Sequence, residues 1–377
     1  MDEDLPSSKR SRRAIPLIAL ALAAVVVVGL LYVRTVGPEL IGSPTSQPIP
    51  TMSGPYSVTY DFISPSVGWA LVLDYKWFST YFWILKTTDG AGHWRRQYEG
   101  KAEGGHIYIH FFDGLQGLAY AGSLYRTVDG GGSWHSVPTV VDGPFVTFAS
   151  PTLGWALAFE AGEGRMYSTR DGGQTWSRLP ADLPGAAVLE PLDATSFPVF
   201  TASGEGWLGA GYLESPVVYR TTDGGASWST VDVPSPQGGG RYLTAVRLVP
   251  GGGVLAFVSD RARLLRAFAS TDRGASWHEL TLPSTVKSVE DVSIADARRW
   301  WALHAGALYT TSDAGLSWRP VVPQGLPEDW NYQAARAIDA RHAWWPMISS
   351  ARSTVSALAM TSDGGAHWKM VNPPQPE

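Results

Sequence analysis

Short stretches of alternating apolar and polar side chains recur along the chain, separated by turn-forming residues. VTYDFI (58–63), FVTFAS (145–150) and LTAVRL (243–248) are rich in β-branched and aromatic residues. This period of two predicts half-buried β-strands, and no stretch after residue 34 keeps the period of an α-helix. A more apolar run follows each such stretch, as in GWALVL (68–73) and GWALAF (154–159). The pattern predicts an all-β protein made of short strands.

A turn phrase with Asp, Gly and Trp closes each of these units. It occurs seven times, as TTDGAGHW (87–94), TVDGGGSW (127–134), TRDGGQTW (169–176), TTDGGASW (221–228), STDRGASW (270–277), TSDAGLSW (311–318) and TSDGGAHW (361–368). The intervals between successive Asp residues are 40, 42, 52, 49, 41 and 50 residues, which is typical of repeated supersecondary units. The repeated residues are Asp89, Asp129, Asp171, Asp223, Asp272, Asp313 and Asp363, with Trp94, Trp134, Trp176, Trp228, Trp277, Trp318 and Trp368.

Each unit is predicted to form four short antiparallel strands, and seven such sheets are predicted to close into a β-propeller over residues 55–372. In the phrase, Asp can accept backbone N–H bonds, Gly allows positive φ, and Trp covers the hairpin while its N–H finds a partner. A catalytic or calcium-binding role for the seven Asp residues is disfavoured, because equivalent turns on separate blades cannot converge on one ligand. The phrase is therefore interpreted as structural.

The phrase resembles the Asp-box, also called the bacterial neuraminidase repeat, with departures at Ala91, His93 and His367. Together with the Gly-Trp-Ala strand and the seven units, it looks most like the photosystem II assembly/stability factor family of cyanobacteria and chloroplasts. That resemblance covers roughly residues 55–372 and implies a non-enzymatic propeller in which an Arg-rich patch docks a membrane protein partner. None of the Arg residues of this chain is matched to that patch individually. Sialidases, sortilins and xyloglucan hydrolases share the Asp-box, so the repeat itself indicates fold rather than function.

Catalytic constellations are poorly supported by the sequence. A sialidase needs an arginine triad and a Tyr–Glu nucleophile pair, and Tyr212 with Glu214 is a pair by proximity alone, more readily explained as a strand end and a turn. Xyloglucan hydrolases that resemble this repeat need two propellers, and this chain predicts one. No G-x-S-x-G motif occurs, and the absence of Cys excludes thiolate chemistry. We expect no catalytic residue and no cofactor.

A metal site is also disfavoured. His106 and His110 are four residues apart on a predicted strand and so point to the same side, but no third ligand lies near them in the sequence. A packed or hydrogen-bonded pair is the simpler interpretation, and no metal is expected.

The first 54 residues form three segments. Residues 1–13 are a tail containing Lys9, Arg10, Arg12 and Arg13, followed by an uncharged apolar run at 14–33 that is long enough for a ~30 Å bilayer core. An uncleaved single-pass anchor is favoured over a signal peptide, whose apolar region is shorter, and over twin-arginine export through SRRAIPL (11–17). The basic residues predict a cytoplasmic tail and an extracytoplasmic propeller. Residues 35–54 are a Pro- and Ser-containing tether.

The region after residue 34 carries 24 basic and 31 acidic residues, a net charge of −7 that argues against nucleic acid as a partner. Loops between second and third strands, and between blades, are expected on the face opposite the Asp turns. They carry aromatic and Arg residues typical of protein interfaces, although ordinary solvated loops would explain them too. The candidate partner-binding residues are Tyr75, Trp77, Phe78, Tyr81, Arg241, Arg261, Arg263 and Arg352.

These observations favour a membrane-anchored, extracytoplasmic, non-enzymatic binding or assembly scaffold with a protein partner on its outer face. The alternative is an extracytoplasmic glycan-binding protein or a sialidase-like glycoside hydrolase. In that case three Arg residues and two carboxylates should meet at the mouth of the propeller channel.

Overall fold

A computed structural model describes residues 49–76, 79–103, 107–139, 146–160, 163–180, 198–211, 213–236, 240–260, 263–304 and 306–375. Residues 49–377 form one compact unit. Within the described ranges, no helix is long and apolar enough to cross a membrane. The predicted anchor at 14–33 and most of the tether lie outside these ranges.

The described chain forms seven antiparallel sheets of at least four strands, which confirms the predicted seven-bladed propeller. A short N-terminal strand, β1 (Met52–Ser53), precedes blade 1. Blades 1 to 3 comprise β2 (Tyr56–Phe62), β3 (Gly68–Lys76), β4 (Ser79–Thr87) and β5 (Arg95–Ala102); β6 (Tyr108–Phe111), β7 (Gly117–Tyr120), β8 (Leu124–Thr127) and β9 (His135–Val137); and β10 (Val146–Phe148), β11 (Gly154–Glu160), β12 (Glu163–Thr169) and β13 (Ser177–Arg178).

The remaining four blades follow in chain order. Blades 4 and 5 comprise β14 (Val199–Phe200), β15 (Gly206–Gly209), β16 (Val217–Thr221) and β17 (Ser229–Asp232); and β18 (Leu243–Val249), β19 (Gly253–Ser259), β20 (Leu264–Ser270) and β21 (His278–Glu279). Blades 6 and 7 comprise β22 (Val292–Ile294), β23 (Trp300–His304), β24 (Ala307–Thr311) and β25 (Arg319–Val321); and β26 (Trp330–Tyr332), β27 (Arg336–Ala337), β28 (Ala343–Ser349), β29 (Val355–Thr361) and β30 (Trp368–Val371). One 3-10 turn, Val289–Asp291, leads into β22.

The hydrophobic core is divided among the interfaces between consecutive blades, including the interface between blades 7 and 1. Second strands such as β3 are buried along most of their length, because a neighbouring blade covers each face of the sheet. This explains why the Gly-Trp-Ala runs are more apolar than the alternating strands before them. No blade holds a complete core of its own.

Tryptophans of the second strands connect neighbouring blades. The Trp69 ring of blade 1 stacks on Phe111 of blade 2, with centroids 3.4 Å apart, and Trp155 of blade 3 stacks on Phe200 of blade 4 at 3.6 Å. The indole N–H of Trp155 donates to the carbonyl oxygen of Gly224, in the Asp turn of the next blade, at 2.8 Å. One side chain thus joins the core of one blade to the turn of the next.

The ring closes through the N-terminal segment. Strand β1 pairs with β29 of blade 7, in the register Met52–Ser356 and Ser53–Val355. Met52 is 1% exposed and packs among residues of blade 1, and the Gly54 N–H donates to the Thr354 carbonyl oxygen at 2.9 Å. β1 lies in the range predicted as tether, so the last residues of that range belong to the propeller.

Candidate functional site

The seven Asp turns, defined by the seven phrases above, share one set of hydrogen bonds. The Thr or Ser hydroxyl two residues before each Asp donates to Asp Oδ1 over 2.7–3.0 Å and accepts the N–H two residues after the Asp over 2.8–3.2 Å. The residue four positions after the Asp donates its N–H to Oδ1 over 2.8–3.0 Å. Its side chain contacts Oδ2 over 2.5–2.8 Å. Both carboxylate oxygens are therefore occupied within the hairpin.

The departures from the repeat pattern keep this geometry. At His93 and His367 the imidazole Nδ1 replaces the Ser or Thr hydroxyl, 2.6 Å and 2.7 Å from the respective Oδ2. The two residues after each Asp have positive φ, including the non-glycine residues Ala91, Arg273 and Ala314 at φ of 61–65°. The hydrogen bonds hold these residues in a conformation that L-amino acids otherwise avoid.

The hydrogen bonds lower the pKa of every one of the seven carboxyls. Those from Ser133 and from Thr175 are the largest causes at Asp129 and Asp171, where each pKa falls to about 2. The pKa also falls to about 2 at Asp272, Asp313 and Asp363, and it is lowered at Asp89 and Asp223. The lowered pKa values keep these carboxyls ionised as hydrogen-bond acceptors. A carboxyl that acts as a proton donor would need a raised pKa instead.

We expect acid to weaken the turns. A carboxyl whose pKa is lower in the folded than in the unfolded state, where it is near 3.9, adds stability above about pH 4 that is lost as the pH falls towards 2. Asp171→Asn should therefore melt below the wild-type protein at neutral pH, and the gap should close near about pH 2. Thermal melts of both proteins between neutral pH and about pH 2 test this prediction. A difference in melting temperature that is independent of pH would contradict this role of the carboxylate.

The tryptophans of the Asp turns correct one expectation. Three indole N–H groups have acceptors: Trp94 donates to Asn372 O at 2.7 Å, Trp176 to Pro138 O at 3.0 Å and Trp368 to Gly365 O at 2.9 Å. The other four, of Trp134, Trp228, Trp277 and Trp318, are buried without a partner among the described residues. The prediction that each N–H finds a partner was wrong for these four. These four rings pack instead in the clusters between consecutive blades, and that burial supplies the stabilisation. Trp134, for example, lies in the cluster between blades 1 and 2, where it packs edge-on against Phe111 of its own blade.

The stretch of blade 1 that carries the candidate residues Tyr75 and Tyr81 was predicted to be a loop, but it is largely an extended hairpin. β3 and β4 have nine residues each and stay paired up to Lys76 and Ser79, so Tyr75 and Tyr81 lie in strands rather than in a loop. Trp77 and Phe78 lie outside the described residues. Tyr75 pairs with Thr80, whereas Tyr81 pairs with Asp74, which places the two tyrosines on opposite faces of the hairpin.

Both tyrosines are solvent-accessible, at 39% for Tyr75 and 40% for Tyr81. The Tyr75 hydroxyl lies 3.2 Å from Ser57 Oγ, and the Lys76 ammonium lies 5.2 Å from the centre of the Tyr81 ring. The next two aromatics along the strand, Phe82 and Trp83, are buried. The hairpin thus has a fixed base and two exposed tyrosines near its end.

The predicted arginines fall into two groups. Arg352 is exposed on the blade 7 hairpin. Thr354 of the same hairpin accepts a hydrogen bond from Gly54, and the next residue, Pro55, accepts one from the Tyr75 N–H of the blade 1 hairpin at 3.1 Å. Arg352 therefore lies close to the blade 1 hairpin along the ring. Exposed Arg241 and Arg263 lie at the start of blade 5 and on its hairpin, and blades 6 and 7 separate them from blade 1. Arg261 lies outside the described residues.

The residues considered for catalysis and metal binding are not assembled into a site in the described part of the chain. Glu214 is exposed in a loop, and its suggested partner Tyr212 lies outside the described residues, as does His106. His110 Nδ1 lies 3.4 Å from Asp61 Oδ2 instead. No group of three metal-ligating side chains occurs among the described residues.

A cavity of about 540 Å³ occupies the propeller axis and was not predicted from the sequence. The inner strands of blades 1, 2, 5, 6 and 7 line it, and its charged or titratable lining residues are Asp61, His110, Arg247, Glu290 and Arg336. Two Arg residues and two carboxylates thus meet there, where the sialidase alternative requires three Arg residues. The sequence feature that could have indicated this site is Pro346 in the strand AWWPMI, because Pro inside a strand often marks a bulge, and bulges are frequent beside binding sites.

Comparisons with known proteins support the architecture. No protein-family model and no curated protein matches this sequence. Among solved structures, YCF48 bound to D1 peptide is similar, with 16% identity, a TM-score of 0.54, and coverage of 86% of this chain and 99% of that one. YCF48 from Cyanidioschyzon merolae has 15% identity, a TM-score of 0.52, and coverage of 84% and 97%. At these identities the likeness concerns the fold alone.

Enzymes share the same fold. A puromycin-hydrolyzing peptidase of Mycobacterium tuberculosis has 11% identity and a TM-score of 0.56, and the match covers 89% of this chain. It spans only 57% of the peptidase. The fold therefore does not distinguish a scaffold from part of an enzyme.

Proposed function

We propose that this chain is a membrane-anchored, extracytoplasmic binding scaffold whose seven turns are Asp-boxes and whose blade 1 hairpin contacts a protein partner. The single observation that carries the proposal is the β3–β4 hairpin, which exposes Tyr75 and Tyr81 near the end of a firmly paired base. A hairpin needs no aromatic residue there for its own geometry, and tyrosines are common anchors of protein interfaces. YCF48, which shares the fold, has been solved with a D1 peptide, consistent with a peptide or protein ligand.

The opposite orientations of the two tyrosines define how a partner would bind. A flat surface could contact only one face of the hairpin, so we infer that the partner has a groove that receives both faces. Arg352 on the neighbouring hairpin would add orientation by charge-assisted contacts at the rim. Arg241 and Arg263 belong to a different sector of the ring and are not included in this contact.

The hairpin proposal predicts the effect of removing both phenol rings. Tyr75→Ala with Tyr81→Ala should weaken co-purification of the native partner by at least about tenfold, because each buried aromatic supplies on the order of 1.5–3 kcal/mol before association costs. Arg241→Ala with Arg263→Ala is the matched control and should leave binding unchanged. Quantitative pull-down from native membranes measures both. Loss of binding only with the arginine pair would reject the hairpin as the contact.

The membrane anchor and the outward orientation rest on the apolar run at 14–33 and on the basic residues before it. The chain has no Cys, so one introduced Cys is its only thiol. Ser136→Cys, at an exposed position of β9, should react with a membrane-impermeant maleimide in intact cells. Ser7→Cys should react only after the membrane is permeabilised. The reverse labelling pattern would refute the proposed topology.

A further inference from the structure

The axial cavity lies on the side of the propeller that carries the Asp turns. Its lining includes the ends of β2 and β6 and the residues that follow them, Ile63 and Phe112, where the inner strands turn towards the second strands. Those connections contact the Asp turns directly, as where Gly90 N–H donates to Ser66 O at 2.9 Å. The cavity is therefore at the opposite face from the Tyr75–Tyr81 hairpin.

Most charged groups in the cavity are already paired. Asp61 Oδ2 accepts the Phe111 N–H at 2.6 Å and lies 3.4 Å from His110 Nδ1. Arg247 donates to Glu290 Oε1 at 3.0 Å. Arg336 is different: it is exposed within the lining and makes no hydrogen bond or ion pair with any described residue. One guanidinium in the cavity is thus available to a ligand.

A bulge in the inner strand of blade 7 sets the direction of Arg336. Tyr332 pairs with Met347 and Arg336 pairs with Trp344, so three residues on the inner strand face two on β28. Pro346 lies opposite this bulge and has no N–H to donate to the inner strand. The Trp345 indole N–H donates to the Gln333 carbonyl oxygen at 2.7 Å. A shift of one residue reverses which face a side chain occupies, and such bulges are frequent beside binding sites.

The lining of the cavity is more polar than apolar, but it includes apolar side chains beside this arginine. Phe112, Ile338 and Trp344 contribute to the lining, and the volume is within the range of about 300–1,000 Å³ typical of small-molecule sites. A single free guanidinium pairs best with a planar carboxylate, which can accept two parallel hydrogen bonds. Asp61 and Glu290 in the same lining disfavour a dianion such as phosphate, because they would repel its second charge.

We propose that the axial cavity binds a small monocarboxylate ligand, with the Arg336 guanidinium as the anchor for its carboxylate. Phe112 and Ile338 contact the carbon skeleton of the ligand, and the Asp61 and Glu290 carboxylates limit the site to a ligand with a single negative charge. This site is separate from the partner-binding hairpin and does not depend on the proposed scaffold function. It differs from an arginine triad, because Arg247 is held by Glu290 and Arg336 acts alone.

The proposal is tested by titrating the purified full-length chain, in detergent, with glucuronate, benzoate and lactate. Glucose, as the neutral counterpart of glucuronate, and inorganic phosphate are the controls. At least one of the three carboxylates should bind below about 10 mM, and Arg336→Gln should weaken that binding by about tenfold or more, since a charge-assisted bidentate contact is lost. Arg263→Gln, at an exposed arginine of the blade 5 hairpin on the opposite face, should bind these carboxylates like the wild-type protein.

Arg336→Lys separates charge from geometry and should give an intermediate affinity, because the ammonium keeps the charge but loses the planar fork. Thermal melts of each variant verify folding. Absence of binding by all three carboxylates, equal binding of glucose and glucuronate, tighter binding of phosphate, or unchanged affinity in Arg336→Gln would each overturn the proposal.

Discussion

Trp69→Ala is expected to lower the free energy of unfolding by about 3–5 kcal/mol, the range for removing a fully buried large aromatic ring. Trp69 is completely buried between blades 1 and 2 and stacks on Phe111. Its indole N–H contacts Gln97 Oε1 at 3.1 Å and Gly130 O at 3.4 Å, so the side chain also supports the Asp turn of blade 2. Urea denaturation followed by fluorescence and circular dichroism measures the change.

Trp69→Phe is the matched control for this experiment. It keeps an aromatic ring against Phe111 but removes the donor to the blade 2 turn, so a smaller loss is expected. A cost below about 1 kcal/mol for Trp69→Ala would mean that the interblade core relaxes around the cavity. That result would contradict the view that interfaces between blades, rather than single blades, hold the stability.

Met52→Ala is expected to cost about 2–5 kcal/mol, the usual range for a buried Met. Met52 belongs to β1, which closes the ring on β29, and its side chain packs against Val72, Trp83 and Leu85 of blade 1. Loosening it should destabilise the junction between blades 7 and 1 as a unit. Hydrogen exchange should then show reduced protection of β29 and β2, while blades 3 and 4 remain protected.

The half-buried Met360, on the partner strand β29, provides the control. Met360→Ala removes the same side chain without affecting the closing strand and should have the smaller effect. Equal effects of the two substitutions, or uniform loss of protection across all blades, would show that β1 is not the element that closes the ring.

The architecture was predictable because every unit repeats the same local chemistry. The period-two strands, the apolar second strand and the Asp turn occur seven times, so an ambiguous unit such as GVLAFV (253–258) is identified by its neighbours. The two His departures also fit, since an imidazole nitrogen can occupy the position of a hydroxyl. The seven-bladed propeller of antiparallel sheets follows from these signals alone.

Features that depend on contacts between distant residues were not predictable. Met52 pairs with Ser356, more than three hundred positions away, and its short strand has no pattern of its own. The bulge that directs Arg336 arises from a one-residue mismatch between strands, which sequence periodicity does not resolve. The opposite orientations of Tyr75 and Tyr81 follow from how far the hairpin remains paired. The fold was therefore predictable from the sequence, whereas the geometry of the candidate sites became visible only in the structure.

Site-specific photo-crosslinking in native membranes tests the central claim most directly. A photoreactive amino acid replaces Tyr81 in one variant and the exposed Leu316, in an Asp turn of blade 6, in the other. The scaffold account predicts one discrete adduct from position 81, abolished by Tyr75→Ala in the same chain, and none from position 316. An adduct from position 316 alone, or identical adducts from both positions, would contradict the account.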